Sequence, residues 1–415
     1  MKTITKFIYL GFASLALACG SIAFAQVQFA PVTPASSAAK AAAQAVVLGA
    51  EPLGASVSET VAFKSGSRWN LTVNAVKKFG LVITGASFQR SPASPFLYVL
   101  NDGRLGEIFV PYHGNQNRFL DISEHDFNPL PLPPAKFPPP LQIIGGGMIC
   151  KEVRNYLAYM DAGHTTFPPG PIRVRYGQEV VYFSVLDAFN YAYIMEWTFR
   201  DDGAILVRAG STGPKFPFPS DFKIGHMHDF TWRLDIDLNG ANENSAYLTK
   251  HEENLTVPDS TATDTKDLIE VEGSRVWNPQ NFNTLEIFAS GLQNDNGRPT
   301  YYELVPMRSG TARHSEPYTK KDFWVTRYNP NEILAVDLPT YIESRQSTDD
   351  KDLVIWYTGS EHHDGCEESP GSNECNSRDE DFNTVQVLWT GFDLIPNNLF
   401  NKTPFYPGPT PPPTP

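Results

Sequence analysis

Residues 190–208 read NYAYIMEWTFRDDGAILVR. Tyr191, Tyr193, Met195 and Trp197 fall at every second position, so on an extended chain they share one face. The plain reading of that face is aromatic core. Asp201-Asp202-Gly203 then interrupts the run, and Ala204–Arg208 resumes it. Turn-forming residues between two alternating apolar runs mark a β-hairpin.

The same pattern recurs outward from this hairpin. Asn70–Val76, Gly80–Phe88, Glu179–Leu186, His228–Leu238, Asp322–Tyr328, Leu353–Thr358 and Thr384–Leu388 all read as strands. Glu152–Met160 is the one stretch that fits helix as well as strand. Phe127–Pro140 is too rich in proline for sheet and reads as an irregular surface crossing. No repeat of 20–50 residues is present, which excludes a propeller or solenoid. The expected architecture is all-β: a large antiparallel β-sandwich over residues 59–405.

Composition agrees. The chain has 415 residues, 41% hydrophobic and 12% aromatic, enough for a large core and incompatible with wholesale disorder. Thirty-three Lys and Arg against 46 Asp and Glu give a net charge of −13. That balance argues against nucleic acid as a partner, which needs a basic face, and suits a cationic partner such as an amine.

Met1–Ala25 reads as an export signal. Lys2 and Lys6 precede an apolar stretch, Phe7–Ala18, that is too short to span a bilayer, and Ala23-Phe24-Ala25 is a small-x-small cleavage site. The expected location is secreted or periplasmic. Lipid anchoring through Cys19 is the competing reading, with residues before it that fit less well. Residues 26–58 read as a flexible Ala- and Pro-rich leader, and residues 406–415 as an extended Pro-rich tail. No other apolar run is long enough for a transmembrane segment. Cys366 and Cys375 bracket a short acidic loop and make a local disulfide plausible in an exported chain, which leaves Cys150 as an odd, buried thiol.

Three groups of residues carry chemistry. His226-Met227-His228 puts two imidazoles on one face of a strand, a bite that suits copper or zinc, unless they are simply two polar strand residues. Asp235 and Asp237 lie further along the same run with the opposite parity, which suits a separate hard cation such as calcium. Glu361-His362-His363 would supply a third imidazole and Asp352 a third carboxylate. The bland reading of residues 361–363 is polar loop surface, which neighbouring acids such as Asp364 favour.

Taken together these residues resemble the copper-containing, topaquinone-dependent amine oxidases, through their catalytic domain. The resemblance is carried by Phe323-Trp324-Val325-Thr326-Arg327-Tyr328-Asn329-Pro330-Asn331-Glu332, by Leu338-Pro339-Thr340-Tyr341-Ile342 and by Asp352–Thr358. It is carried too by the H-x-H segment leading into R-L-D-x-D, here His226 to Asp237. His228 and Asp235 are seven positions apart and Asp352 and His363 eleven, as in the family. The second spacing selects His363 over His362.

The resemblance implies copper held by His226, His228 and His363. It implies a calcium site at Asp235, Asp237, Asp352 and the carbonyl of Ile236. The family makes topaquinone from the tyrosine of a T-x-x-N-Y-(D/E) motif, which aligns with Asp187 to Ala192. Asn190 and the precursor Tyr191 are kept, while Asp187 and Ala192 depart from the pattern. Val110-Pro111-Tyr112 supplies the tyrosine that orients the cofactor, and Leu120-Asp121-Ile122-Ser123-Glu124 supplies Asp121 as catalytic base. The implied activity is oxidation of a small primary amine by O₂ to the aldehyde, with release of ammonia and hydrogen peroxide, in a homodimer. The alternative is an exported copper-binding or scaffold homologue with little or no quinone. Asp187, Ala192 and the short link between Tyr112 and Asp121 motivate it. A third reading keeps the oxidation but on an unusual substrate.

Overall fold

The computed structural model describes residues 56–112, 118–161, 172–189, 191–213, 226–253, 262–307, 315–363 and 387–401. The export signal, most of the leader, Asn190, the Cys366–Cys375 loop and the tail lie outside them. Among the described residues no helix is long and apolar enough to cross a membrane.

In chain order the strands are β1 (Val57–Ala62), β2 (Arg68–Val76), β3 (Gly80–Gln89), β4 (Leu97–Leu100), β5 (Asp102–Pro111), β6 (Arg118–Leu120) and β7 (Asn128–Pro129). Next come β8 (Gln142–Ile144), β9 (Ile149–Asp161), β10 (Arg173–Ala188), β11 (Tyr191–Arg200), β12 (Ile205–Thr212), β13 (His226–Ile236) and β14 (Asn244–Glu253). The last are β15 (Ala262–Leu268), β16 (Gly273–Arg275), β17 (Thr284–Gln293), β18 (Pro299–Pro306), β19 (Phe323–Arg327), β20 (Leu353–His363) and β21 (Leu388–Asn397). One sheet runs β1-β2-β3-β5-β13-β20-β19-β16, with β4 and β6 attached to β3 and β5. The other runs β15-β14-β17-β18-β21-β12-β11-β10-β9-β8, with β7 attached to β10.

The sheets face each other through rings. Trp69 meets Phe199, Tyr193 meets Phe230 edge-on, and both Trp232 and Tyr357 meet Phe392. Each pair joins one strand of the first sheet to one of the second. Trp69 buries its indole fully and still satisfies its N–H by donating to the carbonyl of Arg200 at 2.8 Å. At Gly103 in β5 a Cβ would stand 2.5 Å from the ring of Trp197, so the close approach of the sheets there requires glycine.

The fold is the expected antiparallel sandwich, and the hairpin that opens the argument is β11 and β12, turning at Gly203 with φ of 90°. Several local expectations need correction. Glu152–Met160 belongs to β9, a strand paired along its length with β10. Val153, Leu157 and Met160 stay exposed, so the burial contrast that would reveal a strand is missing from the sequence. The proline-rich crossing is mostly irregular, yet Asn128 and Pro129 bridge Asp187 and Leu186, which a proline tolerates at a peripheral pairing. Residues 361–363 are not loop surface: β20 runs on to His363.

Candidate metal centre and adjoining cavity

β13 and β20 are neighbours in the first sheet, and their register sets His226 opposite His363 and His228 opposite Glu361. His226, His228 and His363 therefore share one face of the sheet, the one turned toward β11. All three are buried. One ring nitrogen from each lies within 4.8 Å of the others, and the Nε2 atoms of His226 and His228 approach to 2.9 Å. The intervening Met227 pairs with His362, whose side chain is exposed on the other face. The ladder thus excludes His362 from the cluster by geometry alone.

The neighbours of these rings fix their nitrogens. Nε2 of His363 donates to the carbonyl of Gly213 at 3.1 Å, because a carbonyl only accepts, and this leaves Nδ1 as the basic nitrogen. Glu361 is buried, with Oε1 3.7 Å from Nδ1 of His228. The same oxygen accepts from the backbone N–H of Ser211 at 2.9 Å and from its hydroxyl. Three converging imidazoles, backed by a carbonyl and a carboxylate, form a donor set that fits copper.

Tyr191 begins β11 and is buried beside this cluster. Its hydroxyl lies 3.3 Å from Nε2 of His226 and 2.6 Å from the hydroxyl of Tyr112. Its ring meets His228 and His363 edge-on, with centroids 4.9 and 5.0 Å away. Asp187 and Ala192 pair with each other across the hairpin, and Asp187 is exposed. Strand alternation places both side chains on the face opposite Tyr191.

Asp121 opens a one-turn helix, Asp121–Glu124, that follows β6. Its carboxylate accepts from the hydroxyl of Tyr193, the next inward residue of β11 after Tyr191. Burial and the Asp121 charge push the Tyr193 phenol far above its ordinary value, so it stays a donor. Beneath the turn lies Glu107 of β5, which is fully buried. It accepts from the N–H groups of Ile122 at 2.7 Å and Ser123 at 3.2 Å, and from the Ser123 hydroxyl at 2.6 Å. Burial pushes its carboxyl up to about 8 despite these donors.

Asp121 and Tyr191 line one cavity of about 170 Å³, together with Tyr112, Phe119, His125, Phe127 and Phe189. Among the sequence candidates, the structure brings His226, His228, His363, Tyr191, Tyr112 and Asp121 into this one region. Sequence reading missed Tyr193, Glu361, Gly213, Glu107 and His125. Of these only Tyr193 and Glu361 carried a signal, through their adjacency to candidates.

Asp235, Asp237 and Asp352 converge on the opposite face of the same two strands, with carboxylate oxygens within 4.8 Å of one another. Asn101 donates to Asp235 at 3.0 Å, while one oxygen of each carboxylate is buried without a partner. Burial, then repulsion from neighbouring carboxylates, pushes Asp235 up to about 6 and Asp237 up to about 7. Asp352 is also raised by burial, against the pull of Arg327 and Arg233. Desolvated carboxylates that repel one another, each with one oxygen lacking a donor, fit a hard cation. Ile236, between the two aspartates, ends β13. Cys150 is a buried free thiol.

Comparison with known proteins agrees with this geometry. Residues 222–411 match the family model for the copper amine oxidase enzyme domain. Primary amine oxidase 2 of Arabidopsis thaliana is 24% identical over 431 residues, covering 85% of this chain and 62% of the relative. A primary amine oxidase of Klebsiella aerogenes is 22% identical over 387 residues, covering 74% of this chain and 48% of the relative. The chain therefore spans less than two thirds of these curated relatives. In fold it is similar to a copper-containing benzylamine oxidase from Hansenula polymorpha, with a TM-score of 0.64 at 17% identity over 83% of this chain and 62% of that one. It is also similar to a Pichia pastoris lysyl oxidase, with a TM-score of 0.63 at 15% identity over 81% and 52%. Over residues 222–411 the chain is similar to the copper amine oxidase enzyme domain, and in fold it is similar to copper-containing amine oxidases.

Proposed function

We propose that this chain is an exported, copper- and topaquinone-dependent oxidase of a small primary amine, yielding aldehyde, ammonia and hydrogen peroxide. The observation that carries this reading is the position of Tyr191. Its phenol lies 3.3 Å from a triad of imidazoles and lines the same cavity as Asp121.

His226, His228 and His363 would hold copper as neutral imidazoles, through Nε2 of the first two and Nδ1 of the third. Bound copper, with the quinone made from Tyr191, would supply the electron sink and the reaction with O₂. The other parts of the mechanism belong to the protein. The hydroxyl of Tyr112 holds the oxygen of residue 191 in place. Asp121, a carboxylate with one solvent-shielded donor from Tyr193, takes the proton from the α-carbon of the bound amine. The rings around it exclude water and strengthen the attraction between the carboxylate and a cationic substrate. Asp235, Asp237, Asp352 and the Ile236 carbonyl would hold a structural calcium ion. Residues 1–25 as an export signal, residues 59–405 as the catalytic domain and a homodimeric assembly complete the reading.

The second reading, a copper-binding homologue with little or no quinone, is favoured by Asp187 and Ala192. These depart from the family's T-x-x-N-Y-(D/E) pattern next to Tyr191 in sequence and pair with each other on the far face of the hairpin. Staining of the copper-loaded full chain with phenylhydrazine or nitroblue tetrazolium separates the two. A quinone adduct that disappears in Tyr191→Phe supports the oxidase. A colourless, copper-replete protein supports the second reading. Peroxide made undiminished by Tyr191→Phe refutes Tyr191 as the cofactor's source.

A further inference from the structure

The cavity beside Tyr191 is a box of rings with one carboxylate, Asp121, and one imidazole, His125. His125 follows the Asp121–Glu124 turn. Its ring stacks on Phe127, with centroids 5.0 Å apart and planes at 10°, and meets Phe189 edge-on at 5.9 Å. Nδ1 is sealed from solvent and lies 3.5 Å from a carboxylate oxygen of Asp121. The carboxyl groups that act on it are Asp121, then Glu124 of its own turn and Glu107 of β5 beneath. Of these carboxylates only Asp121 lines the cavity, because Glu107 is turned into the backbone of residues 122 and 123.

An amine with one nitrogen finds everything it needs here: Asp121 for the amine end and ring faces for an apolar tail. An amine with two nitrogens does not. Among the described residues lining the cavity, its second cation meets no second carboxylate. Aromatic faces attract cations, but the face of Phe127 is already covered by His125. Asp121 raises the imidazole above its ordinary value against the opposing effect of burial and so favours its cationic form, and a cationic ring lining the cavity repels a second cation.

We propose that His125 is a specificity-determining residue, restricting this cavity to monoamines with a compact aromatic or apolar tail and turning away diamines. The inference rests on the amine oxidase reading for its biological meaning, yet it is testable without turnover. Binding of 2-phenylethylamine and of 1,4-diaminobutane to the copper-free full chain is measured by ligand-observed NMR at pH 6 and pH 8.

The wild type should bind 2-phenylethylamine at least tenfold more tightly, with a wider gap at pH 6 than at pH 8, since the cationic imidazole is more populated at the lower pH. His125→Gln should remove the pH dependence of the gap. His125→Glu, which offers a second carboxylate, should narrow it about tenfold or reverse it. Equal binding of the two amines to the wild type would overturn the proposal, as would a gap that neither variant changes. With copper-loaded protein, the ratio of kcat/KM for the two amines should move the same way. Selectivity that survives in a protein giving no quinone stain sinks only the oxidase reading. A strong stain with no selectivity sinks only the role of His125.

Discussion

The hydroxyl of Tyr112, just after β5, lies 2.6 Å from the hydroxyl of Tyr191, at the start of β11, so a hydrogen bond links the two sheets beside the imidazole cluster. Tyr112→Phe should keep the fold and cost about 1 kcal/mol of stability. The ring at 191 then loses its tether, and misorientation of a reacting group costs up to about a hundredfold in rate. Steady-state kinetics with a thermal melt checks both parts. A fully active Tyr112→Phe would remove Tyr112 from the mechanism.

His363 and His362 provide an internal control for the metal centre. His363→Ala should abolish stoichiometric copper, read by elemental mass spectrometry. His362→Ala, on the exposed face, should retain copper and change stability by less than about 0.5 kcal/mol. Copper at a hundred times its dissociation constant should stabilise the wild type by about 2.7 kcal/mol, and His363→Ala should lose this gain. Equal copper retention in both variants would contradict the register-based ligand set.

Tyr193→Phe removes the hydroxyl that donates to Asp121. A buried carboxylate left without that donor costs about 1–3 kcal/mol. The expected result is a lowered Tm and, in the copper-loaded enzyme, a lower kcat with substrate binding less affected. Asp121→Asn should lose turnover by a larger factor while still staining for quinone. A stained Asp121→Asn that turns over normally would exclude Asp121 as the base.

Glu107 gives a pH signature of stability. Its carboxyl ionises near 4.5 when exposed and is pushed up to about 8 in the folded chain. Between those values the folded state holds a proton that the unfolded state has released. The contribution is therefore complete below about 4.5 and is lost as pH rises through about 8. Glu107→Gln has no proton to lose, so its Tm should fall less than that of the wild type across this window. Parallel Tm profiles for the two proteins would show that Glu107 does not hold that proton.

Calcium should act at the other face of β13 and β20. Desolvation and mutual repulsion raise Asp235 and Asp237, and a cation relieves both. Calcium should raise the Tm of the wild type at pH 7, EDTA should reverse it, and Asp237→Asn should abolish the response. An unchanged Tm with millimolar calcium would count against the site.

Much of the fold was legible because alternation is local. Tyr191 to Trp197 and His226 to Asp237 declare strands within a dozen residues, and spacing alone puts His226 and His228 on one face. What stayed hidden depends on pairing. The role of residues 361–363 emerges only when β20 is laid against β13, since the local string of acids and histidines reads as solvated loop. β5 was obscured by Gly103 and Gly106, which signal turns in isolation but here make room for Trp197 and Trp356. Glu107 looks like an outward-facing strand acid until its carboxylate meets the N–H groups of residues 122 and 123. His125 gains meaning only from the rings that the fold folds over it.

The ladder between β13 and β20 has one more implication, for biosynthesis. Both ligand sets depend on the pairing that sets His226 against His363. A nascent chain zipped one residue out of step would turn Met227 or His362 inward and hold neither ion. Ion capture would then act as an assembly checkpoint: correctly aligned molecules are locked in by their ligands, and misaligned ones stay open to quality-control proteases.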